Sequence, residues 1–169
     1  MKHMNLLLLV LALLGGTATL HAYDFEANGI YYSITDQDAA TVSVTAGDDK
    51  YSGDVTIPAS VSHDGKSFAV TAIGGNAFQA CSDLTSVAMP EGIEAIGNYA
   101  FSGCANLAAI VIPKSARQLG REAFSHCASL AAVTFSEGLE TVGTAAFISC
   151  ISLTSITIPA SVTSIGERA

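Results

Sequence analysis

The sequence predicts a repeat solenoid that is mainly β, and three observations carry that prediction. From Ile73 onward the 169-residue chain falls into rows of 23, with 73–95, 96–118, 119–141 and 142–164 aligning without a gap. Within each row apolar residues recur first at three-residue steps and then at two-residue steps, the pattern of a turn running into a strand. Composition agrees: 50% of residues are hydrophobic, 13% are charged, Gly numbers 15 and Trp is absent. That balance excludes a coiled coil and argues against a helical bundle. A strict period of this length belongs to units that bury their apolar side only against their neighbours.

The first element in the chain is an export signal. Met1-Lys2-His3 is a short basic start, Leu6 to Leu14 is an unbroken apolar run, and Gly15-Gly16 with Thr17 to Ala22 is a small, polar exit. The nine apolar residues reach only about 14 Å as a helix, roughly half a bilayer. Residues 1–22 therefore read as a secretory signal peptide cleaved after Ala22. No second apolar stretch is long enough for a transmembrane segment, and no Cys precedes Cys81 to carry a lipid anchor. The exported chain is expected in the medium or on the cell surface.

Residues 23–72 lie outside the 23-residue register and read as a small N-terminal β cap. Ile30 to Ile34, Thr41 to Thr45 and Val55 to Ile57 are short strand patterns, separated by the turn formers Asp36-Gln37-Asp38 and Gly47-Asp48-Asp49. Ile57-Pro58-Ala59-Ser60-Val61 copies Ile158-Pro159-Ala160-Ser161-Val162, so the entry strand starts at Val55. Asp64-Gly65 between apolar flanks predicts a hairpin that ends at Phe68 and Val70. Without such a cap the first coil would expose apolar surface to water.

Residues 73–169 form the repeats, four full rows and a truncated fifth. Gly74, Gly97, Gly120, Gly143 and Gly166 share a column; Ala77, Ala100, Ala123, Ala146 and Ala169 share another. Phe78, Phe101, Phe124 and Phe147 follow, then Cys81, Cys104, Cys127 and Cys150, then Leu84, Leu107, Leu130 and Leu153. Ala77, Phe78, Cys81 and Leu84 are spaced for one side of a short helical or 3₁₀ turn. Leu84, Val87 and Met89 then point inward along a strand that Pro90 closes, with Ser86 and Ala88 outward. A Gly or Ser at 92, 115, 138 and 161 makes the next turn, and Ile93 to Ile96 is a short extended return. Stacked coils would pair these strands in parallel at about 4.8 Å.

The row Ile-Gly-x-x-Ala-Phe-x-x-Cys-x-x-Leu-x-x-Val-x-Met-Pro resembles the leucine-rich repeat of the BspA type, found in bacterial surface and secreted proteins. The resemblance covers residues 73–169. Gly92, Ser115, Gly138 and Ser161 stand where the better known leucine-rich pattern has Asn or Cys, so no asparagine ladder is expected. What the resemblance implies is a leucine-rich repeat fold with a parallel sheet on one face, and a role in adhesion to host matrix or to other cells. The chain stops at Ala169, one position before the Phe that the register demands. The expectation is a piece of a longer protein or an open coil that pairs with another chain.

Candidate chemistry is sparse. The four Cys recur once per coil; equivalent Cβ atoms in adjacent coils point the same way, which keeps them too far apart for a disulfide and favours buried free thiols. An even row of sulfurs does not converge on zinc. After export the histidines are His63 and His126, and Ala80, Gly103 and Ser149 share the column of His126, so it reads as a surface residue. Asp36, Asp38, Asp48, Asp49 and Asp54 match no calcium loop and read as solvated turn acids. No nucleophile elbow, zinc motif or phosphate loop is present, so no catalytic residue, cofactor or metal is assigned. A net charge of −8 and a pI near 4.7 exclude a phosphate-neutralising surface, and nucleic acid with it. Glu91, Lys114 and Glu137 share a column, as do Glu94, Arg117 and Glu140, which predicts weak ion pairs between coils.

Two classes of function follow. One is a secreted or surface module that binds a protein or glycan ligand, on a host matrix or another cell, through the outward strand positions Ser86, Ala88, Ala109, Val111, Ala132, Thr134, Ser155 and Thr157. These are small and uncharged and lack the aromatic and Arg anchors that usually carry binding energy. The variable turns Asn98-Tyr99 and Arg121-Glu122 supply such anchors, so Tyr99 and Arg121 join the candidate surface. The other class is a structural spacer or self-associating array, paired through the uncapped C-terminal coil, with no ligand of its own.

Overall fold

The computed structural model describes residues 22–169; of the predicted leader, residues 1–21 lie outside it. The described residues form thirteen strands and no helix. Two antiparallel turns open the chain. β1 (Phe25–Ala27) pairs β2 (Ile30–Asp36) across Asn28-Gly29, whose φ values of 53° and 75° suit a tight hairpin. β2 then pairs β3 (Thr41–Thr45), where Asp36 Oδ1 accepts bonds from the N–H groups of Asp38 and Ala39 and so builds the turn. β1 is an element that the sequence pattern did not suggest.

From there the sheet turns parallel and runs into the repeats. β3 pairs β6 (Lys66–Ile73), β6 pairs β8 (Ala95–Ile96), and the line continues through β10 (Gln118–Leu119), β12 (Thr141–Val142) and β13 (Ser164–Ile165). Its register advances by one row each time, Ala95 facing Gln118, Gln118 facing Thr141 and Thr141 facing Ser164. β5 (Ser60–His63) folds back on β6 over Asp64-Gly65, the predicted hairpin, with φ values of 49° and 75°. The short return segments of the rows thus join in one sheet, which the strands from Phe25 to Ile73 bring to nine among the described residues.

The strands expected to form the main face are split. β4 (Gly53–Thr56) pairs β7 (Leu84–Ala88), and β9 (Ala109–Ile112) pairs β11 (Ala132–Phe135), each in parallel. Residues 153–159 of the fourth row make no strand.

The turn segment also differs from expectation: it is neither α nor 3₁₀ helix. Cys81 N–H bonds to Phe78 O at 3.1 Å and Leu84 N–H to Cys81 O at 3.1 Å, as a helical turn would. Between them Asn76, Phe78 and Ala80 send their N–H groups to Asn98, Ala100 and Ser102 of the next coil, at 3.0, 2.7 and 2.7 Å. The cause is a left-handed backbone at Asn76 and Ala80, with φ of 60° and 57°. The same conformation returns at Tyr99, Glu122, Ala145 and Arg168 and at Gly103, His126 and Ser149. Each non-Gly residue there costs roughly 1–2 kcal/mol, which the bonds to the neighbouring coil offset.

Side-chain columns fill the space between the sheets. Phe78, Phe101 and Phe124 are fully buried, and the four rings stack face to face at 4.8, 4.9 and 5.4 Å with planes within 3°. Tyr51 closes the cap end of this column, 4.5 Å from Phe78, while its hydroxyl donates to Thr45 O and accepts from Tyr31 N–H. The Gly column exists because coils touch there through backbone. A Cβ on Gly120 would lie 2.5 Å from the carbonyl carbon of Gly97, and one on Gly143 2.4 Å from that of Gly120.

Candidate binding surface

Every outward strand position that the sequence singles out is exposed. Ser86 and Ala88 lie on β7, Ala109 and Val111 on β9, and Ala132 and Thr134 on β11, whereas Ser155 and Thr157 sit in the unpaired segment beyond it. The structure brings four of them together directly: Ala132 faces Ala109 and Thr134 faces Val111 across the β9–β11 pair. Ser86 instead faces Asp54 on β4. Its hydroxyl donates to Asp54 Oδ1 at 2.6 Å, and Thr85 donates to the same oxygen at 2.7 Å. These two bonds, Ser86 first, hold the Asp54 carboxyl below its ordinary range. Asp54 and Thr56 thus extend this face, and the sequence held the signal for them in the copy of Ile158-Pro159 at Ile57-Pro58.

Tyr99 and Arg121 lie apart from the strands, on turns of successive coils, and they meet. The Arg121 guanidinium carbon is 6.0 Å from the Tyr99 ring centroid. Arg121 Nε donates to Glu122 Oε1 at 3.1 Å, and the Tyr99 hydroxyl donates to the same oxygen at 3.4 Å. The backbone is tied as firmly: Arg121 N–H donates to Asn98 Oδ1 at 2.8 Å, and its carbonyl accepts from Tyr99 N–H at 2.9 Å. A cavity of about 370 Å³ opens beside this cluster, with Arg121, Glu122 and His126 on one side and Glu167 and Arg168 on the other.

The predicted charge columns are only partly joined. Arg117 Nη1 lies 3.9 Å from Glu140 and donates to Gly138 O at 3.0 Å, and Glu91 Oε1 accepts from the backbone N–H of Lys114 at 3.5 Å. Among the described residues Lys114 makes no ion pair, because its long exposed chain gains little by being fixed. The Gly and Ser column does more than turn the chain. Ser115 Oγ donates to Ile93 O and accepts from Gly92 N–H, and Ser161 Oγ accepts from Gly138 N–H, so serine ties one coil to the next where other patterns use asparagine.

The thiols are free and buried. Cys104, Cys127 and Cys150 donate to the carbonyls of Phe78, Phe101 and Phe124, one coil back, at 3.1, 3.1 and 3.0 Å. Burial pushes the Cys150 thiol up to about 11 and raises that of Cys81 as well. His126 is exposed, and His63 stacks on Phe25 at 4.1 Å with the ring planes 5° apart. Among the described residues no cluster of His, Cys, Asp or Glu is arranged to hold a metal ion, and no helix is long and apolar enough to cross a membrane.

Parallel strands in one-row register around columns of Leu, Phe and Cys define a leucine-rich repeat protein of mainly β structure. Residues 64–169 match the BspA type Leucine rich repeat region in six copies, and the chain belongs to that family. A leucine-rich repeat protein from Bacteroides ovatus is 35% identical over 85% of this chain, with a TM-score of 0.79. The leucine-rich repeat protein of T. pallidum is 32% identical over 86%, with a TM-score of 0.75. The pneumococcal vaccine antigen PcpA shares the fold over 84% of this chain at 22% identity and a TM-score of 0.66. The chain spans 37%, 65% and 45% of these proteins respectively. No curated protein matches it.

Proposed function

We propose that this chain is an exported, non-catalytic binding module that serves adhesion at the bacterial surface, presenting the outer surface of a solenoid to a protein or glycan ligand. Residues 1–22 act as the leader, 23–72 as the cap and 73–169 as the repeats. The observation that carries this reading is membership of the BspA-type family, joined to a framework whose coils fix exposed side chains in register. A stack held by bonds from each coil to the next spends little conformational freedom when a ligand binds. The test is a panel of matrix proteins and glycans against the chain from residue 23 onward. Saturable binding to at least one is expected; binding to none overturns the reading.

One observation favours self-association as a second reading. The last coil carries an apolar cavity of about 280 Å³ lined by Phe147, Leu153, Ile156, Ile158 and Ile165, and Ile158 and Ile165 are 41% and 54% exposed. Each large side chain covered at a new contact contributes about 1.5–3 kcal/mol. Light scattering at rising concentration should show dimers or larger species, and a strictly monomeric chain removes this reading.

A further inference from the structure

Resting on the binding-module reading, we propose that Arg121 is a preformed anchor for a carboxylate side chain of a protein partner. Every part of this residue except the tip of its guanidinium is already fixed. Its N–H is taken by Asn98 Oδ1, its carbonyl by Tyr99 N–H, its Nε by Glu122 Oε1, and its guanidinium carbon lies 6.0 Å from the Tyr99 ring centroid. Glu122 is itself steadied by the Tyr99 hydroxyl. Both Nη groups make no hydrogen bond among the described residues, and the side chain is 61% exposed. An arginine usually loses much rotamer freedom when it engages a ligand; this one has lost it in the fold. A planar fork held this way matches a carboxylate, which takes two parallel N–H bonds.

The charges around the site select among anions. Arg168 faces the adjoining cavity and favours negative charge, while Glu167 faces it too. Glu122 is consumed by Arg121 and Tyr99. A dense polyanion such as a sulfated glycan would meet Glu167 and a chain of net charge −8, whereas a single Asp or Glu on a partner meets only the fork. Tyr and Arg are also the residue types that concentrate binding energy at protein interfaces.

The experiment titrates the chain from residue 23 with the peptide acetyl-Gly-Asp-Gly-Glu-Gly-amide, its Asn and Gln counterpart, and a heparin tetrasaccharide, reading the Arg121 Nε–H resonance by NMR at low salt. A saturable shift with the acidic peptide alone is expected. Arg121→Ala should weaken peptide binding about tenfold or more, and Arg121→Lys should fail to restore it, since Lys keeps the charge without the fork. Arg117→Ala removes one positive charge elsewhere and should leave binding unchanged. An unaltered melting curve for Arg121→Ala shows that the variant is folded; if it melts early, Arg121→Lys, which keeps the charge without the fork, carries the test and should bind the acidic peptide about tenfold more weakly than the parent. Equal binding of the amide peptide, a response to the heparin fragment alone, or undiminished binding by the variants overturns the proposal. If the matrix panel is positive and Arg121→Ala binds it equally, the anchor fails while the module reading stands. A negative panel with a saturable peptide shift gives the reverse.

Discussion

Phe101 shows most directly how one side chain serves the repeat. Its ring is fully buried, 4.8 Å from Phe78 on one side and 4.9 Å from Phe124 on the other, so truncation opens a gap that neither rigid neighbour can fill. Phe101→Ala should cost about 3–5 kcal/mol, read as a lowered melting temperature; an unchanged one would mean that the stack carries no load. The thiols beside this column should resist alkylation in the native protein, since burial raises Cys81 and Cys150 and keeps them protonated at neutral pH. All four should react in denaturant without reductant, and fewer than four would reveal a disulfide. The Phe and Cys columns were legible because burial leaves the same apolar type at the same place in each row. The left-handed residues were not, because Tyr99, Glu122 and Ala145 are residue types with no local preference for that conformation. The contact between Tyr99 and Arg121 depends on that backbone and was hidden with it, though both residues stood out as the large side chains of variable turns.

Between one element and the next, the Gly column sets how closely coils approach. Gly120→Ala would place a methyl group 2.5 Å from backbone that has no rotamer to move away with, so the two coils must part. A loss of about 1–3 kcal/mol is expected as a lower urea midpoint, and an unshifted midpoint would show that the stack yields freely. Turn chemistry explains which elements sequence reading found. Asp64-Gly65 announces its hairpin because few other pairs accept two positive φ values, and Asp36 builds its turn with its own carboxylate. The helical turn was misread because three-residue spacing records only which side chains point inward. It does not record where the N–H groups go, and in the first turn those of Asn76, Phe78 and Ala80 go to another coil. The main strand face is shorter than the period suggests, because residues 153–159 carry the repeat pattern without forming a strand.

For the whole molecule, Tyr51 is one joint between the N-terminal strands and the repeats. It lies outside the register, so no column pointed to it, yet it stacks on the first Phe and bonds Tyr31 and Thr45 of the cap sheet. Tyr51→Phe keeps the ring and leaves one part-buried N–H and one carbonyl without their partner. A loss of about 1–3 kcal/mol is expected, with faster amide exchange at Tyr31 than in the parent; unchanged exchange would mean that the hydroxyl adds nothing to the ring's packing. Because every coil is tied to its neighbour through its turn, a pull along the chain should strip coils singly from an end while the interior stays intact. Each stripped row of 23 residues lengthens the chain by about 78 Å at roughly 3.4 Å per residue. A tether anchored through such a stack would absorb a tug in steps rather than transmit it.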